Sequence, residues 1–342
     1  MKELSNLFGL NREAVLFDSK LYIVKAMMAI ATGYVIGTGL PLTRLDMISV
    51  LLGVMYNLEP INILGIKGGI SQLIASTLGA VCTAILIVFF GINAFVIAVS
   101  MALTLYVSLK INWRMVSPVA IFTCIYMTQY VQKDALGNPS IWLTYRLRIA
   151  ALGLGVLIAI FYNFIFSFLY YRRIAYKRLQ FTKDQLLSGL EYTQKKLKGK
   201  YDNENREYIT LFPSIFNDLD LVYSNITIMI NEASYFLNLL HPERLKSIQK
   251  ILKYFRDINH LSYDINFVAC RGYKDSEFDN KGIEVLEQCI KILKKADFTA
   301  KEHNVEIDYK RNTDDQNGSR INSNINSISY YVELVLEEGK RL

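Results

Sequence analysis

Gly69–Phe90 reads GISQLIASTLGAVCTAILIVFF, and this stretch contains no charged residue. An α-helix rises about 1.5 Å per residue, so an apolar helix of about 20 residues crosses a hydrocarbon core roughly 30 Å thick. The stretch is long enough and apolar enough for that. It is therefore predicted to be a transmembrane helix.

Five further apolar runs flank this stretch. They are Leu21–Leu40, Met47–Leu58, Ile92–Leu109, Met115–Val131 and Ile149–Tyr170, with Trp142 as an alternative start of the last run. Met47–Leu58 is short for a complete crossing, so it either extends through Leu45 or is a partial span. The sequence predicts a bundle of six transmembrane helices.

Charge is distributed unevenly between the two halves of the chain. Residues 1–171 carry 11 Lys/Arg and 6 Asp/Glu, whereas residues 172–342 carry 27 and 25. The difference is explained if the charge-poor half lies in lipid and the charge-rich half lies in water. The predicted domains are a cytoplasmic N-terminal segment (1–20), a transmembrane domain (21–171) and a cytoplasmic domain (172–342).

The second half has helical periodicity and no convincing alternation of period two. The sixth helix is predicted to continue through Lys200. The remaining predicted helices are Ile209–Leu240, Glu243–Ala269, Gly282–His303 and Ile325–Leu342, with a polar loop at Asp308–Asn324. The predicted fold class is an all-α membrane protein, with a six-helix transmembrane bundle followed by a cytoplasmic α-helical bundle.

The positions of the basic residues predict the orientation. With the N-terminus inside, ten Lys/Arg fall in inner segments and four in outer ones, as the positive-inside rule requires. The prediction is a multi-pass protein of the plasma (inner) membrane with both termini in the cytoplasm. The net charge of +7 lies mostly in the apolar half and forms no basic stripe, so we expect no nucleic-acid partner.

The common enzyme and nucleotide motifs are absent. The chain contains no G-x-x-x-x-G-K-[ST], no H-E-x-x-H and no G-x-S-x-G. We expect no enzymatic activity, no catalytic residues and no cofactor. Asp257, His260 and Asp264 share one helix face and could hold a metal, but a solvated polar face is the interpretation we favour, so no metal site is predicted.

Seven polar residues in or beside the predicted spans are candidate substrate-pathway residues. They are Lys25, Glu59, Gln72, Gln129, Arg146, Arg148 and Asn163. Lys25 either snorkels to the inner interface or faces a wet pathway. Glu59 is either a loop carboxylate or a coupling group, and it is the first candidate for proton coupling. Hydrogen bonds between helices would explain why each amide lies in an apolar span. A shared polar path would explain the presence of several of these residues at once.

Small residues recur at a spacing of four in two spans. They are Ala29, Gly33 and Gly37 in the first span, and Ala75 and Gly79 in the third. Such faces allow helices to approach closely, either within one subunit or at a dimer contact. The glycine-rich stretch 65–69 is predicted to be a flexible inner loop.

Together these residues resemble the aromatic acid exporter family. The likeness rests on Val24-Lys25-Ala26-Met27-Met28-Ala29, on Glu59-Pro60 at the end of the second span, on Arg148 and on Asn163. It is closest to the bacterial six-span branch with a soluble helical domain, within the superfamily of fusaric acid resistance proteins and plant malate channels. The chain departs from the family on the third span, where Gln72 and Ala75-Ser76 replace an arginine and a Gly-Thr pair.

The resemblance implies a function and partners. These are export or passive permeation of small organic carboxylates, aromatic ones included, by a homodimer in the lipid bilayer. Lys25 and Arg148 are then the candidate contacts for the anion. The alternative is a membrane-anchored sensory or partner-binding protein, in which the cytoplasmic helical domain is the working part.

Overall fold

The computed structural model describes residues 19–59, 62–111, 113–133, 136–199, 207–235, 242–270, 280–298 and 319–342. Within these ranges the regular structure is helical, apart from one isolated bridge between Lys133 and Pro139. The helices are α1 (Ser19–Gly39), α2 (Met47–Asn57), α3 (Asn62–Phe90), α4 (Ala94–Ile111), α5 (Trp113–Gln129), α6 (Ile141–Leu197), α7 (Tyr208–Tyr235), α8 (Pro242–Cys270), α9 (Asn280–Lys295) and α10 (Arg320–Gly339), with a 3-10 turn at Arg44–Asp46. The predicted all-α class is confirmed for this part of the chain.

The described helices belong to two compact units. The first lies within Asp18–Tyr170 and the second within Tyr171–Leu342. In the first unit, α3 packs against α4 and α5, and α1 packs against α2. In the second unit, α8 packs against α7 and α10, and α10 also contacts α9.

Three helical stretches among the described residues are long and apolar enough to cross a bilayer. They are Lys20–Gly39, Asn62–Phe90 and Ile141–Phe166, and Ala94–Val107 is a shorter apolar helix. Large apolar side chains such as Val35, Val88 and Phe89 are exposed on these helices. Contiguous exposed apolar surface is typical of a face that meets lipid or another protein. These features indicate association with a membrane.

The prediction of a flexible loop at residues 65–69 was wrong, because these residues lie inside α3. A Cβ added to Gly69 would lie 2.6 Å from Cγ1 of Val156 on α6, and one added to Gly65 would collide with the amide of Asn163. The glycines therefore permit close packing of α3 on α6, and they do not make the chain flexible here.

Two helix ends also differ from the sequence prediction. Ser319 caps α10 by accepting a hydrogen bond from the backbone N–H of Asn322 at 3.2 Å, so helix replaces the last residues of the predicted loop 308–324. Helix α6 continues from the first unit to Leu197, and Gly199 follows with a φ of +70°. Residues 1–18 and parts of the predicted 209–240, 282–303 and 308–324 segments lie outside the described residues.

Candidate functional site

The short helix α2 has buried polar side chains at both ends. At its C-terminal end is the Lys25 cluster, and at its N-terminal end the Arg148 cluster. The Lys25 cluster consists of Tyr22, Lys25, Asn57, Glu59, Gln72 and Asn163. The Arg148 cluster consists of Asp46, Ser49, Thr123, Tyr126 and Arg148.

Lys25 lies against the carbonyl groups that end α2. Its Nζ donates a 2.7 Å hydrogen bond to the carbonyl oxygen of Glu59, and only 2% of Lys25 is exposed. The hydroxyl of Tyr22 donates to the carbonyl of Leu58 at 3.2 Å. Glu59 is the second residue after Asn57, so this bond lies just beyond the last turn of α2, whose free carbonyls carry partial negative charge and favour a nearby cation.

Three buried amides complete the Lys25 cluster. Asn163 Nδ2 donates to the carbonyl of Asn57 at 2.7 Å, while its Oδ1 accepts from the backbone N–H of Glu59 at 3.1 Å. Asn57 Nδ2 donates to the carbonyl of Gly53 at 2.8 Å and to Oε1 of Gln72. Nε2 of Gln72 is buried and has no hydrogen-bond partner among the described residues. The cluster thus combines a buried cation with an unpaired buried donor.

The Arg148 cluster pairs opposite charges. Arg148 is 1% exposed, and its Nη1 lies 3.6 Å from Oδ2 of Asp46 and donates to Oγ of Ser49. Its Nε donates to Oγ1 of Thr123 at 3.3 Å, and its guanidinium carbon lies 5.0 Å from the ring centre of Tyr126. Nη2 of Arg148 is buried without a hydrogen-bond partner in the described structure.

Asp46 also caps α2, since its Oδ1 accepts from the backbone N–H of Ser49 at 3.1 Å. A carboxylate at a helix N-terminus satisfies a free N–H group and interacts favourably with the helix dipole. Helix α2 therefore has an anion at its positive end and the ammonium of Lys25 at its negative end.

The contacts between α1 and α2 show in which direction the two helices run relative to each other. A Cβ added to Gly37, late in α1, would lie 2.8 Å from Sδ of Met47 at the start of α2. Tyr22, early in α1, reaches Leu58 just after the end of α2. The two helices are therefore antiparallel.

Helix α6 runs parallel to α2. Arg148 meets Ser49 near the start of α2, and Asn163 meets Asn57 at its end. The fifteen residues from Arg148 to Asn163 correspond to roughly 22 Å of helix. The 11 residues of α2 correspond to roughly 16 Å, so the two clusters lie roughly 16 to 22 Å apart along the helix axes.

Between the clusters, α2 and α6 touch through their backbones. A Cβ added to Gly53 would lie 2.6 Å from the carbonyl oxygen of Leu152 and 3.0 Å from Cα of Gly155. A Cβ on Gly155 would lie 2.9 Å from Cα of Gly53 and would overlap the carbonyl oxygen of Val50. Both positions need glycine, because any side chain would separate the helices.

The structure brings together four of the seven predicted pathway residues. Lys25, Glu59, Gln72 and Asn163 belong to one cluster and Arg148 to the other. Gln129 and Arg146 are exposed and lie outside both clusters, with the guanidinium of Arg146 5.9 Å from the ring centre of Trp142.

The predicted small-residue faces pack inside the chain. Gly33 and Gly37 face α2, and Ala29 is fully buried. Ala75 packs against Ala120 of α5, and Gly79 lies next to Thr104 of α4. A homodimer contact stays a prediction.

Sequence reasoning missed Asp46 and Asn57, which hold the two clusters together. Asp46 immediately precedes an apolar run, and Asp in that position is typical of an N-cap. That pattern predicts a cap, but it does not identify Arg148 as the partner. The only feature of the sequence that could have identified Asn57 as a site residue is that it is an amide in an otherwise apolar run.

In the second unit, one of the two carboxylates on the helix face shared by Asp257, His260 and Asp264 has polar partners of its own. Arg320 donates to both carboxylate oxygens of Asp264, at 2.8 and 2.6 Å, and Asn324 donates at 2.7 Å. The ring of His260 packs edge-on against Phe216 at 5.1 Å. No group of metal-ligating side chains occurs among the described residues.

Buried charge in the second unit is stabilised by carbonyl groups. Lys183 is 3% exposed, and its Nζ donates to the carbonyl of Ala296 at 2.5 Å. Burial lowers the pKa of Lys183, and the nearby carboxylates of Asp184 and Asp297 oppose this shift. The contact connects α6 to the end of α9.

Comparison of the chain with models of protein families, with curated proteins and with solved structures finds no match. The resemblance to the aromatic acid exporters therefore stays a prediction that rests on the residues quoted above.

Proposed function

We propose that this chain is a six-span membrane protein that exports small organic anions, aromatic carboxylates among them, passively or driven by a gradient. The observation that carries the proposal is the buried ammonium of Lys25 near the end of α2, where Asn57, Gln72 and Asn163 form a network of buried amides. Ionisable groups inside membrane helices are expensive, and they typically mark substrate or ion pathways.

The directions of the helices support six spans. In an up-and-down bundle the second and sixth spans run in the same direction, opposite to the first, and α1, α2 and α6 have this relationship. Helices α4 and α5 have 18 and 17 residues, about 27 and 26 Å, which is close to a full crossing. With both termini in the cytoplasm, the Lys25 cluster lies toward the inner side and the Arg148 cluster toward the outer side.

Helix α2 resembles the interrupted helices that form binding sites in transporters. Its 11 residues span only about 16 Å, so both of its ends lie within the height of the bundle. Helix ends inside a membrane offer unsatisfied backbone groups and partial charges, and substrate sites often form there.

The Lys25 cluster supplies the chemistry that a carboxylate needs. An ammonium has three N–H groups, and Nε2 of Gln72 is an unpaired donor in the described structure. A carboxylate accepts several such bonds, and charge-assisted bonds in a low-dielectric site are strong. We infer that the anion binds first at this inner cluster.

Arg148 provides a second anion-binding site, toward the outer side of the membrane. Asp46, 3.6 Å away, offsets much of the positive charge of Arg148, although Nη2 remains an unpaired donor in the described structure. An anion is therefore held less tightly here than at Lys25. Permeation needs sites that are favourable enough to enter and weak enough to leave, and a weaker second site satisfies the second requirement.

Flux into proteoliposomes tests the proposal. Vesicles containing the full chain take up labelled hydroxybenzoate or malate, with and without a pH gradient, and empty vesicles give the leak. Protein-dependent flux that an excess of unlabelled acid suppresses is the expected result. Absence of flux above the leak for every acid would contradict transport and favour the sensory or partner-binding alternative.

A further inference from the structure

The second unit contains a pocket that the transport proposal does not use. It lies between α7 and α8 and has a volume of about 250 Å³. Phe212 and Asn259 are almost fully buried and form its floor, while Phe216 and Tyr263 are half-buried and form its walls. A dry cavity of about 150 Å³ is enough to bind benzene, so a single aromatic ring with a small substituent fits this volume.

The pocket is built from aromatic rings held at fixed angles. Phe212 and Tyr263 meet edge to face at 6.2 Å, and Phe216 meets His260 in the same way at 5.1 Å. Aromatic rings prefer this geometry, and it leaves ring faces available for an additional ring. The walls therefore favour a flat aromatic ligand.

Asn259 is a polar residue among the side chains that line the pocket, and it adds a hydrogen-bond acceptor. It is 2% exposed, and its Nδ2 donates to the carbonyl of Phe212 at 3.1 Å, which fixes the orientation of the amide. Its Oδ1 is buried and has no hydrogen-bond partner among the described residues. A buried acceptor without a donor is unfavourable, and Asn259 lines the pocket, so a ligand whose O–H or N–H group reaches Oδ1 would be stabilised.

The rim excludes strongly charged ligands. Pro213, Asn217 and His260 are exposed around the opening, and the residues that line the pocket include no Lys, Arg, Asp or Glu. Pro213 has no backbone N–H, although it lies inside α7. A carboxylate ligand would therefore lose its hydration and find no full opposite charge in compensation.

We propose that this pocket binds a small neutral phenol, with the ring between Phe216 and Tyr263 and the hydroxyl donating to Oδ1 of Asn259. The site is separate from the Lys25 cluster in sequence and in chemistry. Its test therefore does not depend on whether the chain transports anions.

Two matched probes test the proposal on the full chain in lipid nanodiscs. Fluorine NMR follows the binding of para-fluorophenol and of fluorobenzene, which lacks the hydroxyl, and empty nanodiscs give the non-saturable partitioning into lipid. We expect saturable binding of para-fluorophenol that is roughly tenfold tighter than that of fluorobenzene, since the hydroxyl satisfies a buried acceptor. Equal affinities, or no saturable binding, would overturn the proposal without need of any variant.

A pair of variants on α8 locates the site. Asn259→Leu should remove the preference for para-fluorophenol, whereas Asn266→Leu should keep it. Asn266 is the matched control, because it is also a fully buried asparagine on α8 with an unpaired Oδ1 in the described structure, but it does not line the pocket. Retention of the preference in Asn259→Leu, or an equal loss in both variants, would contradict the assignment.

Discussion

The Nζ atom of Lys25 donates a 2.7 Å hydrogen bond to the backbone carbonyl oxygen of Glu59. Helix α1 thus supplies a cation to the C-terminal end of α2, and the bond uses a carbonyl that exists whatever side chain occupies position 59. The position of the ammonium therefore depends on the backbone that follows α2, which Asn163 of α6 fixes from the other side.

Replacing Lys25 by methionine should reduce anion flux about tenfold or more. The change keeps the volume of the side chain but removes a charged hydrogen-bond donor, and such bonds contribute about 1.5–3 kcal/mol. Lys67→Met is the matched control, because Lys67 is an exposed lysine on α3 and its loss should leave flux unchanged. Flux in proteoliposomes compares the variants, and an equal effect of both changes would exclude a specific role for Lys25.

Replacing Arg148 by methionine should lower the free energy of unfolding by about 3–5 kcal/mol, because it leaves Asp46 buried without its partner. The double variant Asp46→Asn/Arg148→Met should lose less than Arg148→Met alone. Denaturant titration in detergent measures both. Arg146→Met, an exposed arginine two residues away, should change little, and a loss as large as that of Arg148→Met would refute the importance of the pair.

Two glycines of α6 should respond oppositely to alanine. Gly155→Ala places a Cβ against the backbone of α2 and should destabilise the protein by about 1–3 kcal/mol. A Cβ at Gly153 meets no atom within 4 Å, so Gly153→Ala should stabilise the helix by up to about 1 kcal/mol. Thermal unfolding in one detergent compares them, and a neutral Gly155→Ala would be evidence against the close crossing.

Cys289 should resist thiol reagents in the folded protein. It is 2% exposed, and burial raises its pKa to about 12, so the reactive thiolate is scarce at neutral pH. Cys270, which is partly exposed at the end of α8, should react first. Mass spectrometry after brief alkylation, with and without denaturant, measures both rates, and fast labelling of native Cys289 would show that α9 opens readily.

Glu287 should contribute to stability in a defined pH range. Hydrogen bonds and charge from Lys198 and Lys291 lower its pKa from 4.5 to about 2. Its contribution is therefore complete above pH 4.5 and is lost as the pH falls toward 2. Glu287→Gln should reduce the pH dependence of unfolding in this range, by a small amount because the group is exposed. An unchanged pH profile would contradict the assignment.

The class of the fold could be predicted from the sequence, because long apolar runs and the density of charged residues indicate whether a segment lies in lipid or in water. The sequence located Lys25, Glu59, Gln72 and Asn163 one at a time, since a polar group in an apolar run is conspicuous. It could not predict their convergence, because Asn57 and the end of α2 bring them together in space. The glycines at 65–69 were misinterpreted for a related reason, as glycine favours both a loop and a close helix contact, and only the neighbouring Val156 and Asn163 distinguish the two.

The backbone contact between Gly53 and Gly155 also implies that the helices of the first unit differ in how easily they can move. Two helices that touch backbone to backbone cannot slide past each other without breaking that contact, so we expect α2 and the adjoining part of α6 to move together. Helix α1 meets α2 through side chains, which can exchange partners at lower cost. We therefore expect that any movement within this unit displaces α1, and Lys25 with it, relative to the pair formed by α2 and the adjoining part of α6.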